Sequence, residues 1–292
     1  MEKELKELKQ KICDIKKFNS VDEAEWLQFS QNTTVALMAG GESSRFRSVP
    51  GSENSNKNSY KLPNGDTMIE MTIRMYRDAG IKNFVALVYH KSETIIDLLG
   101  DGSKLGVNIK YSHDPEKPVG KGGAVLNALE NKSIPENHNL IVHNPDDVIL
   151  NYNGSFPKDI VSGHINGIKS GSIATVVVVE NTPYSYTGME IHDNKVVSIE
   201  MYPLIPIPTH IGVTIFSPKV YPYFRKLFDL TKKSDFESVL FPVLSKEEKL
   251  YATSISDNAW LAVNTLKAYN DLIKKLEIVW KYGKQKFIQQ IN

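Results

Sequence analysis

Two glycines, Gly40 and Gly41, follow an apolar run and precede a polar turn that ends in Arg45, within the stretch VALMAGGESSRF. Because glycine lacks a Cβ, successive backbone N–H groups can turn toward one point and form a concavity that binds anions. The arginine adds a positive charge beside that concavity. The stretch therefore predicts a phosphate-binding loop after a strand, although paired glycines in this position also form simple turns.

A pair of aspartates, Asp146 and Asp147, follows a second apolar run in the stretch NLIVHNPDD. Carboxylate oxygens suit Mg²⁺, and because this ion keeps several of its waters, one or two protein contacts are enough to bind it. Aspartates after a strand also occur in turns and at the beginnings of helices. The pair is therefore a candidate metal site in which either carboxylate could be the ligand.

Short apolar runs alternate with amphipathic segments from Thr34 onward, a pattern typical of an α/β protein with a largely parallel sheet. The runs are TVALMA, IKNFVALVYH, VNIKYS, NLIVHN and SIATVVVV, and helical patterns cover residues 68–79, 91–99 and 122–130. Ligands of such sheets bind at the carboxyl ends of the strands. We therefore expect the glycine loop and the acidic turn to lie at one edge of the sheet.

The first 30 residues differ in character from the rest and predict a helical appendage, with the main domain spanning residues 31–292. Apolar residues at helical spacing define one face of a first helix: Leu5, Leu8, Ile12 and Ile15. Ser20 and Glu23 fit a capping box that begins a second, short helix. A final helix is predicted over 264–288. The Ser- and Asn-rich tract 47–60 predicts a mobile loop, either a lid or a surface insertion.

Composition excludes several classes of protein. The chain has 292 residues with 35 Lys and Arg against 34 Asp and Glu, so a basic nucleic-acid surface is not expected. A single cysteine, Cys13, rules out an internal disulfide framework and suits a reducing compartment. Neither a secretory signal nor an apolar stretch of membrane-spanning length is found. We expect a soluble cytoplasmic protein without a membrane partner.

The segment AGGESSRF resembles the G-G-x-x-x-R-[LF] loop of the sugar-1-phosphate nucleotidyltransferases, also called nucleotide-diphospho-sugar pyrophosphorylases. Later segments are similar to those of the same family and follow in the family's order: YKLPNGDTMIEMTI, GDGSKLGVNIKYSHD, PVGKGGAVLNAL, VHNPDDVIL, DFESVLFPVL and AWLAVNTLKAYNDL. The resemblance runs from about residue 34 to 272. Because the order is kept, the series is more specific than any one motif.

The resemblance implies a three-layer α/β/α nucleotidyltransferase fold of the glycosyltransferase-A type, with a mixed, mostly parallel sheet. It also implies transfer of a nucleoside monophosphate from a nucleoside triphosphate to a sugar 1-phosphate, with Mg²⁺ as cofactor, in nucleotide-sugar biosynthesis. Pyrophosphate leaves as the sugar phosphate attacks the α-phosphorus. Since that nucleophile is already ionised, positioning and charge neutralisation carry the catalysis.

Site residues follow from the same resemblance. Arg45 is expected on the triphosphate and Lys61 near the α-phosphate. The implied nucleotide-binding residues are Ala39, Gly40, Gly41, Asp114, Gly120, Gly122 and Gly123. The implied metal ligands are Asp146 or Asp147 together with Asn264, and the implied sugar-phosphate residues are Gly188, Tyr202 and His210.

Three positions depart from the family pattern. Ala262 replaces the second metal aspartate, although some relatives, among them the N-acetylglucosamine 1-phosphate uridylyltransferases, use an asparagine that corresponds to Asn264. A helix-capping role for Asn264 fits the sequence equally well, with Asp257 a weaker candidate for the metal. Tyr202 stands where a lysine usually meets the sugar phosphate, so another basic residue or a different acceptor is implied. Lys121 enters the second glycine loop, where it could contact a phosphate or solvent.

Two alternative functions remain open from the sequence. A non-catalytic nucleotide-sugar-binding or regulatory homologue would explain the altered positions 202 and 262. A glycosyltransferase would share the sheet and the aspartate site, but it would not need Arg45 and Lys61 for a triphosphate. The sequence specifies neither the base nor the sugar, and it leaves the oligomeric state open, a homo-oligomer included.

Overall fold

The computed structural model describes residues 2–16 and 19–291, with side chains described for 5–16 and 19–278. Its helices are α1 Glu2–Ile12, α2 Glu23–Gln31, α3 Met68–Asp78, α4 Ser92–Leu99, α5 Gly120–Glu130, α6 Phe156–Lys169, α7 Tyr221–Leu227, α8 Phe236–Lys246 and α9 Leu266–Ile291. Its strands are β1 Thr33–Ala39, β2 Asn83–Val88, β3 Asn108–His113, β4 Asn139–His143, β5 Asp147–Ile149, β6 Ala174–Val179, β7 Thr182–Pro183, β8 Thr187–His192, β9 Lys195–Met201, β10 Leu204–Ile205, β11 Thr209–Phe216, β12 Leu250–Ile255 and β13 Trp260–Ala262.

Seven strands form the central sheet in the order β12-β6-β11-β4-β1-β2-β3. Strand β11 runs antiparallel to both of its neighbours, and the other pairings are parallel. The carboxyl ends of β1 to β4 therefore lie along one edge, which we call the rim. This mixed, mostly parallel sheet confirms the predicted α/β class.

Helices cover both faces of the sheet and give three layers. One buried cluster joins the sheet to α2, α3, α4 and α6, and a second joins its other face to α5, α7 and α8. Strand side chains such as Val35 and Ala36 alternate between the two clusters, as the two-residue period of a strand requires. The apolar runs in the sequence reflect this burial on both faces.

The second N-terminal helix packs into the domain core. Trp26 and Phe29 of α2 are buried in the first cluster, and the indole N–H of Trp26 donates to the carbonyl of Ala79. Asp22 caps α2 by accepting from the amide of Glu25, so the helix begins after Asp22 and the expected cap at Ser20 is wrong. The domain boundary at residue 30 stays a prediction, since α2 precedes it and shares the core.

The tract 47–60 is held against the rim by hydrogen bonds, in contrast to the expected mobile loop. Asn56 and Asn58 are buried, and the side-chain amide of Asn56 donates to the carbonyls of Ala39 and His90 at the ends of two neighbouring strand segments. Its side-chain oxygen accepts from the amide of Asn58. The asparagines that suggested mobility are therefore the anchors of this segment.

A third apolar cluster lies outside the sheet and attaches the loops to the final helix. The rings of Phe46, Tyr60 and Tyr269 make three mutual edge-to-face contacts with centroids 5.7–5.8 Å apart. Val263 and Leu272 are fully buried in the same cluster. No helix among the described residues combines the length and apolarity needed to cross a bilayer.

Candidate active site

The first glycine loop leaves β1 at the rim and leads into a short 3₁₀ helix, Ser44–Ser48. Gly40 lies close to Tyr89, since a Cβ on it would approach the backbone nitrogen of Tyr89 to 3.3 Å, and its carbonyl accepts from the amide of His90. Gly41 is exposed, with open space around it. Backbone of this kind allows a ligand to approach closely.

Arg45 lies in the 3₁₀ helix with an exposed side chain. Its neighbour Phe46 is buried and anchors the helix through the aromatic contacts described above. Within the described residues, the guanidinium of Arg45 has no ion-pair partner. The loop therefore presents a cation to solvent at the rim.

Lys57 lies at the centre of the site. Its ammonium donates to Oδ2 of Asp146 at 2.6 Å and to Oδ1 of Asn264 at 2.8 Å. The side chains of Lys57 and Asp146 are each only 13 % exposed, so the charges interact with little screening by solvent. The buried neighbours Asn56 and Asn58 hold the backbone on either side of the lysine. Three distant segments thus meet at one cation.

The acidic turn is oriented by the end of β4. The buried imidazole of His143 contacts the Tyr76 hydroxyl through Nδ1 at 2.9 Å and the Asp147 carbonyl through Nε2 at 3.0 Å. Burial lowers the pKa of His143 to about 4, which keeps the ring neutral. The amide of Asp147 donates to the Asn144 carbonyl and closes the turn. Asp146 is thereby directed toward Lys57.

Asp147 points inward rather than toward Lys57. One of its oxygens accepts from the indole N–H of Trp260 at 2.9 Å, and the other accepts from the side-chain amide of Asn144 at 3.0 Å. Burial is the main cause that raises the pKa of Asp147 well above its usual value, and the nearby Asp146 adds to the shift. The two carboxylates that the sequence left as alternatives therefore have different surroundings.

Gly212 makes the enclosure of Asp147 possible. It lies in β11, where the pairing with β6 is interrupted between His210 and Thr214, and its φ is +72°. A Cβ on this glycine would lie 2.1 Å from Oδ2 of Asp147. No side chain fits there, so the backbone of β11 can pack directly on the carboxylate.

Asn264 faces Lys57 because the adjacent threonine performs the capping. The hydroxyl of Thr265 accepts from the amide of Ala268 in the first turn of α9. Strand β13 pairs with β5 and places Ala262 opposite Asp147, while the amide of Val263 donates to the Asp146 carbonyl. The pairing of β5 with β13 thus places Asn264 beside Asp146.

Lys61 is not brought together with these residues. Its side chain is exposed, and the residue forms an isolated backbone bridge with Thr67, the residue that caps α3. Lys57, four residues earlier, occupies the position beside Asp146. The sequence contained both lysines, but only the hydrogen bonding of the flanking asparagines distinguishes them.

The second glycine loop is tightly packed. Gly120 has a φ of +77°, and a Cβ on Gly122 or Gly123 would clash with Phe228 or Val119. The amide of Lys121 donates to an Asp235 carboxylate oxygen at 2.7 Å. Internal packing thus accounts for the three glycines.

Lys121 and Asp114 also have partners inside the protein. The ammonium of Lys121 pairs with Glu237. Asp114 follows β3 at the rim, and its Oδ2 accepts from the Val119 amide at 3.1 Å. Burial raises the pKa of Asp114, and that hydrogen bond opposes the shift. Asp114 therefore holds the base of the second glycine loop.

The predicted acceptor residues lie on β8, after β9 and on β11. Gly188 packs against Pro203, and Tyr202 is exposed with a φ of +55°. His210 is largely buried, its pKa is lowered by that burial to about 4, and its Nε2 lies 3.1 Å from the Val213 carbonyl. The neutral imidazole therefore bonds to its own strand.

A cation lies beside Tyr202. The Nζ of Lys267, in the first turn of α9, is 4.9 Å from the centroid of the Tyr202 ring, the geometry of a cation–π contact. Lys267 follows Asn264 by three residues, at the beginning of α9. Sequence reasoning missed Lys267 and Lys57 because nothing local distinguishes them from solvated lysines. Gly212 had a signal, since a glycine inside a strand pattern indicates a bulge.

Comparison with known proteins agrees with this fold. The family model described as nucleotidyl transferase matches residues 34–278. A Bacillus anthracis protein assigned as a glucose-1-phosphate thymidylyltransferase, solved in complex with sucrose, superposes with a TM-score of 0.61 at 17 % identity, covering 83 % of this chain and 95 % of that one. HddC from Yersinia pseudotuberculosis superposes with a TM-score of 0.59 at 21 % identity, covering 83 % and 99 % of the two chains. The chain therefore belongs to the nucleotidyl transferase family and is a nucleotidyltransferase.

Proposed function

We propose that this enzyme transfers a nucleoside monophosphate from a nucleoside triphosphate to a sugar 1-phosphate and releases pyrophosphate, in a reaction that depends on Mg²⁺. The observation that carries the proposal is the convergence of Lys57, Asp146 and Asn264 at the rim, next to the loop of Gly40 and Gly41. This arrangement combines a lysine ammonium, an acidic metal ligand and open backbone donors. Those are the requirements of phosphoryl-group transfer by positioning.

Asp146 and Asn264 are the residues proposed to hold Mg²⁺. Their oxygens converge on one point, where the Lys57 ammonium now binds, and one or two oxygen ligands suffice for an ion that also takes waters and phosphate oxygens. Asp147 is not included because its carboxylate is turned inward, between the Trp260 indole, the Asn144 amide and the backbone of Gly212. When bound, the ion would neutralise charge on the triphosphate.

The side chains are assigned roles by their positions. We assign Lys57, rather than Lys61, to the α-phosphate, since its ammonium is enclosed beside Asp146. The exposed guanidinium of Arg45 is assigned to the outer phosphates. The backbone N–H of Gly41, which has open space around it, would donate to them as well. The attacking oxygen of the sugar phosphate is already ionised, so no residue needs to remove a proton from it.

The acceptor phosphate is proposed to bind Lys267. Tyr202 has no fixed charge, whereas Lys267 lies over its ring and supplies one. His210 is not suited to this role, because burial keeps it neutral and its Nε2 faces the Val213 carbonyl. The tyrosine ring would orient the ammonium, and the ammonium would bind the phosphate.

Pyrophosphate release is the measurement that tests the function. The purified protein would be assayed with Mg²⁺, each common triphosphate and a panel of sugar 1-phosphates, with excess EDTA as the control. Since the Bacillus anthracis neighbour is assigned as a glucose-1-phosphate thymidylyltransferase, dTTP with glucose 1-phosphate is the first pair to test. We expect release only when triphosphate, sugar 1-phosphate and Mg²⁺ are all present. Release that does not depend on any sugar 1-phosphate contradicts the proposal.

A further inference from the structure

A cation of the protein itself lies at the position proposed for Mg²⁺. The ammonium of Lys57 donates to Oδ2 of Asp146 at 2.6 Å and to Oδ1 of Asn264 at 2.8 Å, the two oxygens assigned to the ion above. A Mg²⁺ ion bound to the same oxygens at about 2.0–2.1 Å would fill the space that the ammonium takes. The ion and the ammonium therefore exclude one another from this pair of oxygens.

The two oxygens are held together by backbone contacts that do not involve the lysine. The amide of Val263 donates to the Asp146 carbonyl at 2.8 Å, and Asn264 is the next residue in the chain. One residue earlier, Ala262 pairs with Asp147 in the antiparallel contact of β13 with β5. Removing the ammonium should therefore leave both oxygens in place for another cation.

The lysine can leave the pair without movement of its backbone. The side-chain amide of Asn56 donates to the carbonyls of Ala39 and His90, and its side-chain oxygen accepts from the amide of Asn58. These bonds fix the chain on either side of Lys57. Its four-carbon stem is flexible, so rotation of side-chain bonds alone can carry the ammonium from the two oxygens to a phosphate beside them.

The charges of the site favour the lysine until a triphosphate arrives. The side chains of Lys57 and Asp146 are each 13 % exposed, and their opposite charges compensate one another. A divalent ion that entered alone would leave the ammonium unpaired beside two further positive charges. A triphosphate supplies negative charge for both cations. The ammonium has three N–H donors and the described residues accept from two of them, so the third can bind the incoming phosphate.

We propose that Lys57 excludes divalent ions from the site in the absence of nucleotide, so that the ion and the triphosphate bind together. The inference rests on the proposed function for its triphosphate, and it gives the lysine a role before the reaction. If the ammonium leaves the two oxygens in fewer than about one molecule in ten, the apparent Kd of the ion alone is at least about 10-fold above that of a site without the lysine. By reciprocity, a triphosphate that draws the ammonium away raises the affinity for the ion.

Binding of Mn²⁺ to the nucleotide-free protein tests the proposal, with the unbound ion measured by electron paramagnetic resonance. We expect Lys57→Met to bind Mn²⁺ at least about 10-fold more tightly than the wild type, because the uncharged side chain no longer competes for the oxygens. Lys61→Met is the matched control, since this exposed lysine lies four residues away, and it should bind the ion like the wild type. The double variant Lys57→Met with Asp146→Asn should lose the gain, which would assign the ion to Asp146.

A second measurement follows Lys57 in the wild type and does not depend on the folding of a variant. Brief acetylation, read out by mass spectrometry, reports how accessible each ammonium is. We expect the enclosed Lys57 to react more slowly than the exposed Lys61. A saturating concentration of Mn²⁺ alone should speed the reaction of Lys57 several-fold and leave that of Lys61 unchanged, because the ion expels the ammonium from its enclosed position.

Two results would overturn the proposal: equal Mn²⁺ affinities of the wild type and Lys57→Met, or an acetylation rate of Lys57 that saturating Mn²⁺ does not change. Neither measurement depends on turnover. Pyrophosphate release that requires Mg²⁺, found together with equal Mn²⁺ affinities, would leave the proposed function standing and remove only this role of Lys57. Tighter Mn²⁺ binding by Lys57→Met without pyrophosphate release from any substrate pair would support the exclusion of the ion and contradict the proposed reaction.

Discussion

The Nζ atom of Lys57 lies 2.6 Å from Oδ2 of Asp146, although 89 positions separate the two residues in the chain. Both side chains are largely enclosed, and the amide oxygen of Asn264 lies 2.8 Å from the same ammonium. Mg²⁺ bound to the same two oxygens would displace the ammonium from them, so the metal ion and the lysine would lie side by side at the triphosphate. This placement of two cations at one phosphate-binding position is the physical basis of the predictions on activity.

Replacing Lys57 by Ala should lower kcat on the order of 10²–10³-fold, the usual loss when one preorganised donor is removed from a reacting phosphate or oxyanion. Lys61→Ala is the matched control, because this exposed lysine lies four residues away and should change kcat by no more than a few-fold. Steady-state pyrophosphate release measures both. Equal losses in the two variants would argue against the assignment of Lys57.

The two neighbouring aspartates should respond differently to the same substitution. Asp146→Asn should lower activity on the order of 10²-fold and raise the Mg²⁺ concentration needed for half-maximal rate, because a carboxylate ligand becomes neutral. Activity titrated against Mg²⁺ measures this. If Asp146→Asn needed no more Mg²⁺ than the wild type, Asp146 would not be a metal ligand.

Asp147→Asn should lower the free energy of unfolding by about 1–3 kcal/mol. The asparagine has one acceptor oxygen instead of two, so either the Trp260 indole or the Asn144 amide becomes a buried donor without an acceptor. Urea unfolding followed by tryptophan fluorescence measures this change. If Asp147→Asn kept the wild-type free energy of unfolding but lost its activity, Asp147 would instead contact the substrate or the metal.

Gly212→Ala should destabilise the protein and reduce activity, because the new Cβ would need the space of the Asp147 carboxylate and the backbone has a positive φ. Gly171→Ala separates these two causes. Gly171 also has a positive φ of +96°, but a Cβ there meets no atom within 4 Å. We expect Gly171→Ala to cost about 1 kcal/mol from backbone strain alone, and Gly212→Ala to cost clearly more in thermal unfolding. Similar losses of stability in the two variants would mean that the Asp147 carboxylate moves away from the new Cβ at little energetic cost.

Lys267→Ala should raise the KM for the sugar 1-phosphate by about 10-fold, the loss of one charge-assisted hydrogen bond, and leave the KM for the triphosphate within two-fold. Lys274→Ala, an exposed lysine two turns further along α9, is the control and should change neither constant. Initial rates with one substrate varied at a time give both values. A selective rise in the triphosphate KM would place Lys267 on the other substrate.

The buried His164 predicts a loss of stability in acid. Burial lowers the pKa of this imidazole to about 3, and its Nδ1 lies 2.9 Å from the Thr175 hydroxyl. The unfolded chain takes up a proton near pH 6.5 while the folded chain does not, so stability is complete above that pH and falls as the pH drops toward the folded pKa. The slope from this residue approaches about 1.4 kcal/mol per pH unit.

His164→Gln cannot take up this proton and should therefore show a shallower decline in unfolding free energy between pH 6.5 and pH 4 than the wild type. Urea titrations at several pH values measure the difference. An identical slope in the variant and the wild type would exclude His164 as a source of the acid sensitivity.

Much of the fold could be predicted because its signals are local. The apolar run TVALMA becomes β1, and the helical pattern 68–79 becomes α3, Met68–Asp78. Each signal reflects the burial of one face or both faces of a single element. The ribbons β5–β13 and β8–β9 were not predicted, because their strands are short or exposed and pair across long or irregular connections.

The tract 47–60 shows where local reasoning fails. Its asparagines and serines are typical of solvated loops, yet Asn56 and Asn58 are buried as hydrogen-bond donors to strand ends. Polar side chains gain these partners only when distant segments come together. The choice between Lys57 and Lys61 followed from the same contacts.

The α/β alternation, the glycine loop after the first strand and the acidic turn after the fourth could be inferred from the sequence, because each depends on the chemistry of a few consecutive residues. Three features could be read only from the folded chain: which lysine contacts Asp146, which aspartate turns inward beneath Gly212, and the placement of Asn264 in the site while Thr265 caps α9. Those choices depend on hydrogen bonds between residues far apart in the chain. Such bonds form only after the sheet has aligned its strand ends along one rim.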